Sequence, residues 1–236
     1  MIIKKLSYYS DSSIYFEKIK HLEWPVFLDS CFQKDKPQSE YARFDIVAAN
    51  PFIKIRAKKG ITTVSDKDGH YQHSKPSLDV LIDLMAKYPK PSNSMPFVGG
   101  AIGYCSYELN LKTTKNNAID TMIIGIYDWA VIVDHFAKKS YIVSMLVDSK
   151  TEVFLPELVS MFDRDMKNIP QDFKIKNSVS DNLSFKEYKN KFDKVMNYIN
   201  AGDCYQINLS KKFDVDTQGD SWYLYKKFRD LNKSPF

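Results

Sequence analysis

The residues best suited to chemistry in this chain fall into a few local groups. Gly99-Gly100-Ala101-Ile102-Gly103 follows an apolar stretch, where a phosphate-cradling loop could sit. Such a loop needs a Lys-Ser/Thr pair or a GxGxxG that opens a helix. Tyr104-Cys105-Ser106-Tyr107 opens none, so close backbone packing at a bulge or turn is the expectation. His70 and His73 stand three apart, a spacing open to metal, but no Cys or carboxylate set completes them and a solvated loop is expected. His135 follows Asp134 at the end of a strand signal and reads as a surface pair rather than a catalytic dyad. Cys31, Cys105 and Cys204 are odd in number and widely spaced. Without a CxxC or a neighbouring His they read as packing residues, not as a zinc ribbon or an activated nucleophile.

Two groups say more. In Tyr205-Gln206-Ile207-Asn208-Leu209-Ser210 the apolar residues alternate with amides and a hydroxyl, where a solvent face would carry charge. A row of uncharged hydrogen-bonding groups suits a polar cleft or a buried network. Arg43 stands among Tyr41 and Phe44, after a short strand that ends at Ser30. Together they could bind a small zwitterion, Arg for its carboxylate and the aromatics for its side chain. The plainer alternative is an Arg lying over aromatic neighbours.

The elements that must position these residues follow from periodicity. Strands are expected at Ile2–Tyr9, Pro25–Leu28 and Phe44–Ala49, and a hairpin at Phe52–Val64 turning on Lys58-Lys59-Gly60. Met122–His135 is the longest strand signal and should pair with Ser140–Val147. Helices are expected at Ser12–Leu22, Pro76–Tyr88 and Thr151–Lys167. Residues 168–183 are polar, contain Pro170 and read as a linker. Ser184 and Glu187 form a capping box for a helix that Gly202 closes, a strand runs from Tyr205 to Val215, and Asp220 caps a last helix. Strands with helices inserted at intervals, and no regular βαβ alternation, give an α+β fold.

Composition excludes several classes. The 236 residues are 44% hydrophobic and 27% charged, which suits a folded chain and not a disordered one. The net charge is only +5, and Arg43, Arg56, Arg164 and Arg229 are the only arginines, so a nucleic-acid role is disfavoured. No apolar run reaches membrane-spanning length and no signal core opens the chain, so a cytoplasmic location is expected.

The segment from Tyr198 to Ser210, YINAGDCYQINLS, resembles the Y-I-x-x-G-D-x-Y-Q-[VI]-N-L-[SA] signature of the chorismate-binding enzymes. That family includes anthranilate synthase component I and aminodeoxychorismate synthase component I. Three more blocks are similar to the aminodeoxychorismate branch: YARFDIVA from Tyr41, PFVGGAIG from Pro96 and GIYDWAVIVDH from Gly125. Asn208 and Arg43-Phe44-Asp45 favour that branch over anthranilate synthases, which tend to read F-Q-V-V-L and R-Y-S-F there.

The resemblance implies two antiparallel sheets packed as a sandwich with flanking helices, incomplete at the C-terminus. Residues 1–168 would be the N-terminal region, 169–183 the linker and 184–236 the start of the chorismate-binding region. It also implies a reaction: ammonia from a glutamine amidotransferase partner replaces the C4 hydroxyl of chorismate, in the route to para-aminobenzoate and folate. Magnesium would hold a substrate carboxylate, a Glu would act as acid and base, and a Lys could attack the ring. All three lie beyond the block at which this chain stops, so no catalytic residue and no metal ligand is expected within it, and the chain alone should be inert. The family's tryptophan site maps onto Ser30, Tyr41, Ala42, Arg43, Phe44, Pro235 and Phe236, without the Ser that follows in the family pattern. A free-standing tryptophan-binding module and anthranilate synthase component I are the alternatives.

Overall fold

The run from Met122 to His135 feeds two different sheets. The computed structural model describes residues 1–32, 40–89, 95–109, 119–164 and 173–232. In its first unit, over Met1–Met166, the chain forms β1 (Ile2–Leu6), α1 (Ser13–Ile19), β2 (Val26–Leu28), β3 (Phe44–Ala48), β4 (Ile53–Lys58), β5 (Ile61–Asp66), β6 (Gly69–His73), α2 (Ser77–Met85), β7 (Gly100–Cys105), β8 (Met122–Tyr127), β9 (Trp129–Asp134), β10 (Lys139–Ser144) and α3 (Ser149–Asp163). One antiparallel sheet has the order β1-β10-β9-β3-β2, the other β6-β5-β4-β8-β7.

Asp128 is the joint between β8 and β9. It is buried, and its carboxylate accepts the N–H groups of Val147 (3.0 Å) and Asp148 (3.1 Å). Burial pushes its carboxyl up; the bonds from Asp148, Val147 and Thr151 pull the other way without cancelling it. The joint is hard to see in sequence because every residue of β9 is buried, so the apolar run hardly breaks there.

Side-chain alternation then builds the layers. Trp129, Val131 and Val133 of β9 join Leu6, Val47 and Ile142 under Tyr15 and Ile19 of α1 and Leu155, Leu158 and Phe162 of α3. Ala130 and Ile132 point the other way and pack with Ile102 of β7 and Tyr127, forming the seam between the sheets. Ile55, Val64, Ile124 and Ile126 take the far face of the second sheet, against Val80 of α2. This is the α+β arrangement of packed antiparallel sheets with helices outside.

Two turns need special backbone. Lys59 and Gly60, both at positive φ (51° and 76°), close the β4–β5 hairpin. Gly103 faces Ile124 across the β7–β8 pair, and a Cβ there would stand 2.0 Å from the Ile123 carbonyl oxygen. The glycine block is therefore a packing device, as its sequence suggests. His70 and His73 lie on the edge strand β6, not on a loop; Tyr71 and the two histidines pair with β5, and His70 Nδ1 meets Ser65 Oγ at 2.7 Å.

The second unit, over Lys167–Lys233, contains β11 (Phe173–Ile175), β12 (Ser180–Asp181), α4 (Phe185–Ala201), β13 (Phe213–Asp214), β14 (Thr217–Gly219) and α5 (Ser221–Leu231). Residues 173–181, read from sequence as linker, carry two strands paired with β14 and β13. Strands of two or three residues are too short to leave a period. The Ser184–Glu187 capping box, the left-handed Gly202 cap and the Asp220 cap form as read. The expected strand Tyr205–Val215 does not: among the described residues only Phe213–Asp214 of it pairs. Tyr205 is fully exposed, and Gln206 Nε2 donates to Asn208 Oδ1 (3.3 Å) in solvent.

Candidate functional site

The register of β3 against β9 assembles the candidate site. Phe44 lies opposite Asp134 and Asp45 opposite Val133, and His135 donates its backbone N–H to Arg43 O at 2.9 Å. Arg43 and His135 thus stand side by side where the two strands end. A 3₁₀ turn at Glu40–Ala42 delivers the chain into β3.

Arg43 grips Asp134 in a forked pair, Nη2 to Oδ2 at 2.8 Å and Nε to both oxygens at 3.3 Å. Its guanidinium lies 4.5 Å from the centre of the Phe44 ring and 5.9 Å from that of Phe136. Burial would raise the Asp134 carboxyl, but Arg43 and the N–H groups of Ala137 and Phe136 hold it below the usual carboxylate range. The Arg over its aromatic neighbours is thus present, and the same side chain keeps one edge exposed to solvent.

Next to it lies a network that the sequence reading missed. Asp45 and His135 are both buried, with His135 Nε2 2.7 Å from Asp45 Oδ2. Ser12 Oγ donates to the same oxygen, and Ser30 N–H donates to Oδ1 at 2.7 Å. Tyr8 Oη meets His135 Nδ1 at 3.1 Å, and the Phe32 ring stacks on the imidazole at 4.2 Å. Burial pushes the Asp45 carboxyl up, and the bonds from His135, Ser12 and Ser30 overcome that and leave it below its ordinary value. His135 is therefore no surface pair with Asp134: its partner is Asp45, and Asp134 belongs to Arg43. A signal was available, since Asp45 shares the inward face of β3 with the fully buried Val47, and a carboxylate at such a position needs partners.

Of the expected ligand residues, Ser30, Ala42, Arg43 and Phe44 border this network, and Tyr41 is exposed beside them. Ser30 is 1% exposed, and its hydroxyl has no hydrogen-bond partner among the described residues. Pro235 and Phe236 lie outside the described residues. An open groove of about 880 Å³, lined by Phe52, Tyr88 and Lys150 among others, lies elsewhere in this unit and touches none of these residues. The Asp45–His135 pair is sealed from solvent, so it can orient groups but cannot reach a substrate. Among the described residues no group of three or more His, Cys, Asp or Glu is placed to hold a metal ion, and no helix is long and apolar enough to cross a membrane. Among the described residues Cys31, Cys105 and Cys204 form no disulfide.

Comparison with known proteins identifies the family and the fold. The family model of the chorismate binding enzyme matches residues 29–236. Aminodeoxychorismate synthase component 1 of Escherichia coli is 30% identical over 235 residues, covering 95% of this chain and 49% of that protein. Anthranilate synthase component 1 of Bacillus subtilis is 27% identical over 228 residues, covering 84% of this chain and 44% of that protein. The chain spans about half the length of the curated relatives it matches. The crystal structure of anthranilate synthase component I from Streptococcus pneumoniae superposes with a TM-score of 0.62 at 22% identity, over 87% of this chain and 49% of that one.

Proposed function

The chain belongs to the family of chorismate-binding enzymes, and from that premise we propose that it supplies the N-terminal half of an aminodeoxychorismate synthase component I. The whole enzyme would replace the C4 hydroxyl of chorismate with ammonia from a glutamine amidotransferase subunit, giving 4-amino-4-deoxychorismate for para-aminobenzoate and folate. The observation that carries this is the alignment over 95% of the chain with the Escherichia coli synthase component, at 30% identity. In this reading residues 1–168 form the N-terminal region, and 184–236 begin the chorismate-binding region. Hydroxide is a poor leaving group, so a cation and a proton donor must assist its departure. The reading assigns magnesium, the acid–base Glu and the Lys to the other half of the enzyme.

What this half contributes, in the same reading, is a tryptophan site. Ser30 offers a buried hydroxyl without a hydrogen-bond partner among the described residues, and Phe44 with Arg43 offers a flat cationic wall. The forked pair uses Nε and Nη2 of Arg43, which leaves Nη1 to meet a ligand carboxylate. Tyr41 and Ala42 flank it, and Pro235 and Phe236 would complete the wall.

The test joins this chain to the C-terminal half of the Escherichia coli component. With chorismate, magnesium and ammonia the expected product is 4-amino-4-deoxychorismate, and the chain by itself forms none. Anthranilate as the product, or steady turnover by the chain alone, would overturn the assignment. A cytoplasmic site of action follows from soluble substrates and is checked by fractionation.

A further inference from the structure

We infer that Asp45, clamped by His135, is the positioning residue of the tryptophan corner: it touches no ligand but holds Ser30 in place to bind one. This rests on the tryptophan-site reading above. The geometry that carries it is a division of labour between two carboxylate oxygens. Oδ2 is occupied by His135 Nε2 and by Ser12 Oγ, which fixes the plane of the carboxylate. Oδ1 is thereby aimed at Ser30 N–H, which it binds at 2.7 Å.

Ser30 lies two residues beyond β2, and the next residue, Cys31, turns the chain at a φ of 51°. Cys31 N–H donates to Asp29 Oδ1 across this turn (2.8 Å), and Asp45 supplies the separate bond that fixes the Ser30 N–H. The Ser30 hydroxyl is one of the buried side-chain oxygens without a hydrogen-bond partner among the described residues. An unpaired buried hydroxyl is costly, and a ligand donor or acceptor would relieve that cost. The same two strand ends set the cationic wall, because Asp134 is the neighbour of His135 and holds Arg43. Affinity at the corner should therefore depend on a carboxylate that is buried one layer below it.

The geometry also says which substitution is tolerated. In Asp45→Asn the amide oxygen can still accept Ser30 N–H, and the amide nitrogen can donate to Ser12 Oγ and to His135 Nε2. That requires the imidazole to carry its proton on Nδ1, facing Tyr8 Oη. Asp45→Ala keeps none of these bonds.

The experiment is calorimetry of the chain with L-tryptophan, run well below the melting temperature of each variant. Asp45→Ala should bind about tenfold more weakly or worse, and Asp45→Asn within about threefold of the parent chain. Gly60→Ala, in the β4–β5 hairpin whose strands pack in a cluster without Phe44, serves as a control that lowers stability and should leave affinity unchanged. Equal affinity of Asp45→Ala and the parent chain overturns the positioning role and leaves the site reading standing. No binding by the parent chain overturns the site reading and this inference with it. Should Asp45→Ala fail to fold, imidazole nitrogen NMR on the parent chain decides. The His135 signals should move with the Ser30 amide along one L-tryptophan binding curve, and His135 signals that stay still refute the link.

Discussion

Replacing Gly103 with alanine should destabilise the first unit strongly, and the size follows from the β7–β8 pair. The added Cβ would stand 2.0 Å from the Ile123 carbonyl oxygen, 2.7 Å from Ile124 Cα and 2.9 Å from the Ile123 carbonyl carbon. All three are backbone atoms, so no side chain can swing aside. Real Cβ atoms essentially never stand closer than 3.0 Å to such atoms, so the strands must part by about an ångström or more at the centre of their register. Ladder bonds stretched that far are lost, at about 1 kcal/mol each, and overpacking adds about 1–3 kcal/mol. β7 is an edge strand and can retreat outward, which places the sum at about 2–4 kcal/mol. For a chain of this size that lowers the melting temperature by about 5–15 °C. Gly60→Ala is the comparison: its φ is 76° but nothing lies within 4 Å, so only backbone strain of about 1 kcal/mol applies. Thermal melts followed by circular dichroism measure both. A Gly103→Ala melt within about 2 °C of the parent, or one milder than Gly60→Ala, would refute the close-approach reading.

Stability should also fall in acid through Asp45. Its folded carboxyl sits below the usual value, so its contribution is present above pH ~4 and is lost as pH falls through the folded value. Melts between pH 6 and pH 3 should show Asp45→Asn flattening that decline, and an unchanged slope would exclude the network as its source. Ser184→Ala removes the reciprocal cap of α4, a helix with no buried residue, and should cost about 1 kcal/mol locally. Faster amide exchange in its first turn checks this, and unchanged exchange contradicts it. The 236-residue chain in isolation should bind a dye for apolar surface and self-associate, because Phe185, Phe213, Phe228 and Leu231 are more than half exposed. A sharp monomer peak without dye binding would speak against that surface being available.

The features legible in the sequence were those set within a few residues. The Lys59-Gly60 turn, the Ser184–Glu187 box, the Gly202 cap and the β9–β10 hairpin each follow from local backbone rules. The features that were not legible depend on residues far apart in the chain. Met122–His135 reads as one strand because burial on both faces removes the alternation that would mark the joint at Asp128. Tyr205–Val215 has the opposite problem. Its alternation shows which side chains would share a face, but a strand also needs a neighbour, and only Phe213–Asp214 has one among the described residues. His135 was assigned to Asp134 because the two are adjacent, whereas its bond is to a carboxylate 90 positions away. Adjacent residues in a strand point to opposite faces, so Asp134 was the one acidic neighbour that could not be its partner on that face.

The two units differ in how much core they own, and this bears on where the binding chemistry can be secure. The first unit buries three clusters and seals Asp45 and His135 beneath its corner, so Ser30 rests on a carboxylate that solvent does not reach, while Arg43 is held by the largely buried Asp134. In the second unit Trp222 is the single buried residue among those described. Its helices have good caps and apolar stripes, yet caps contribute about 1 kcal/mol each and cannot replace a core. A motif such as YINAGDCYQINLS can therefore identify the family without its residues being held in a working geometry. Gln206 and Asn208 bond to each other in solvent rather than to a scaffold. The Ser30–Arg43 corner is built on the first unit's own strands, where Asp45 holds the Ser30 N–H and Asp134 holds Arg43.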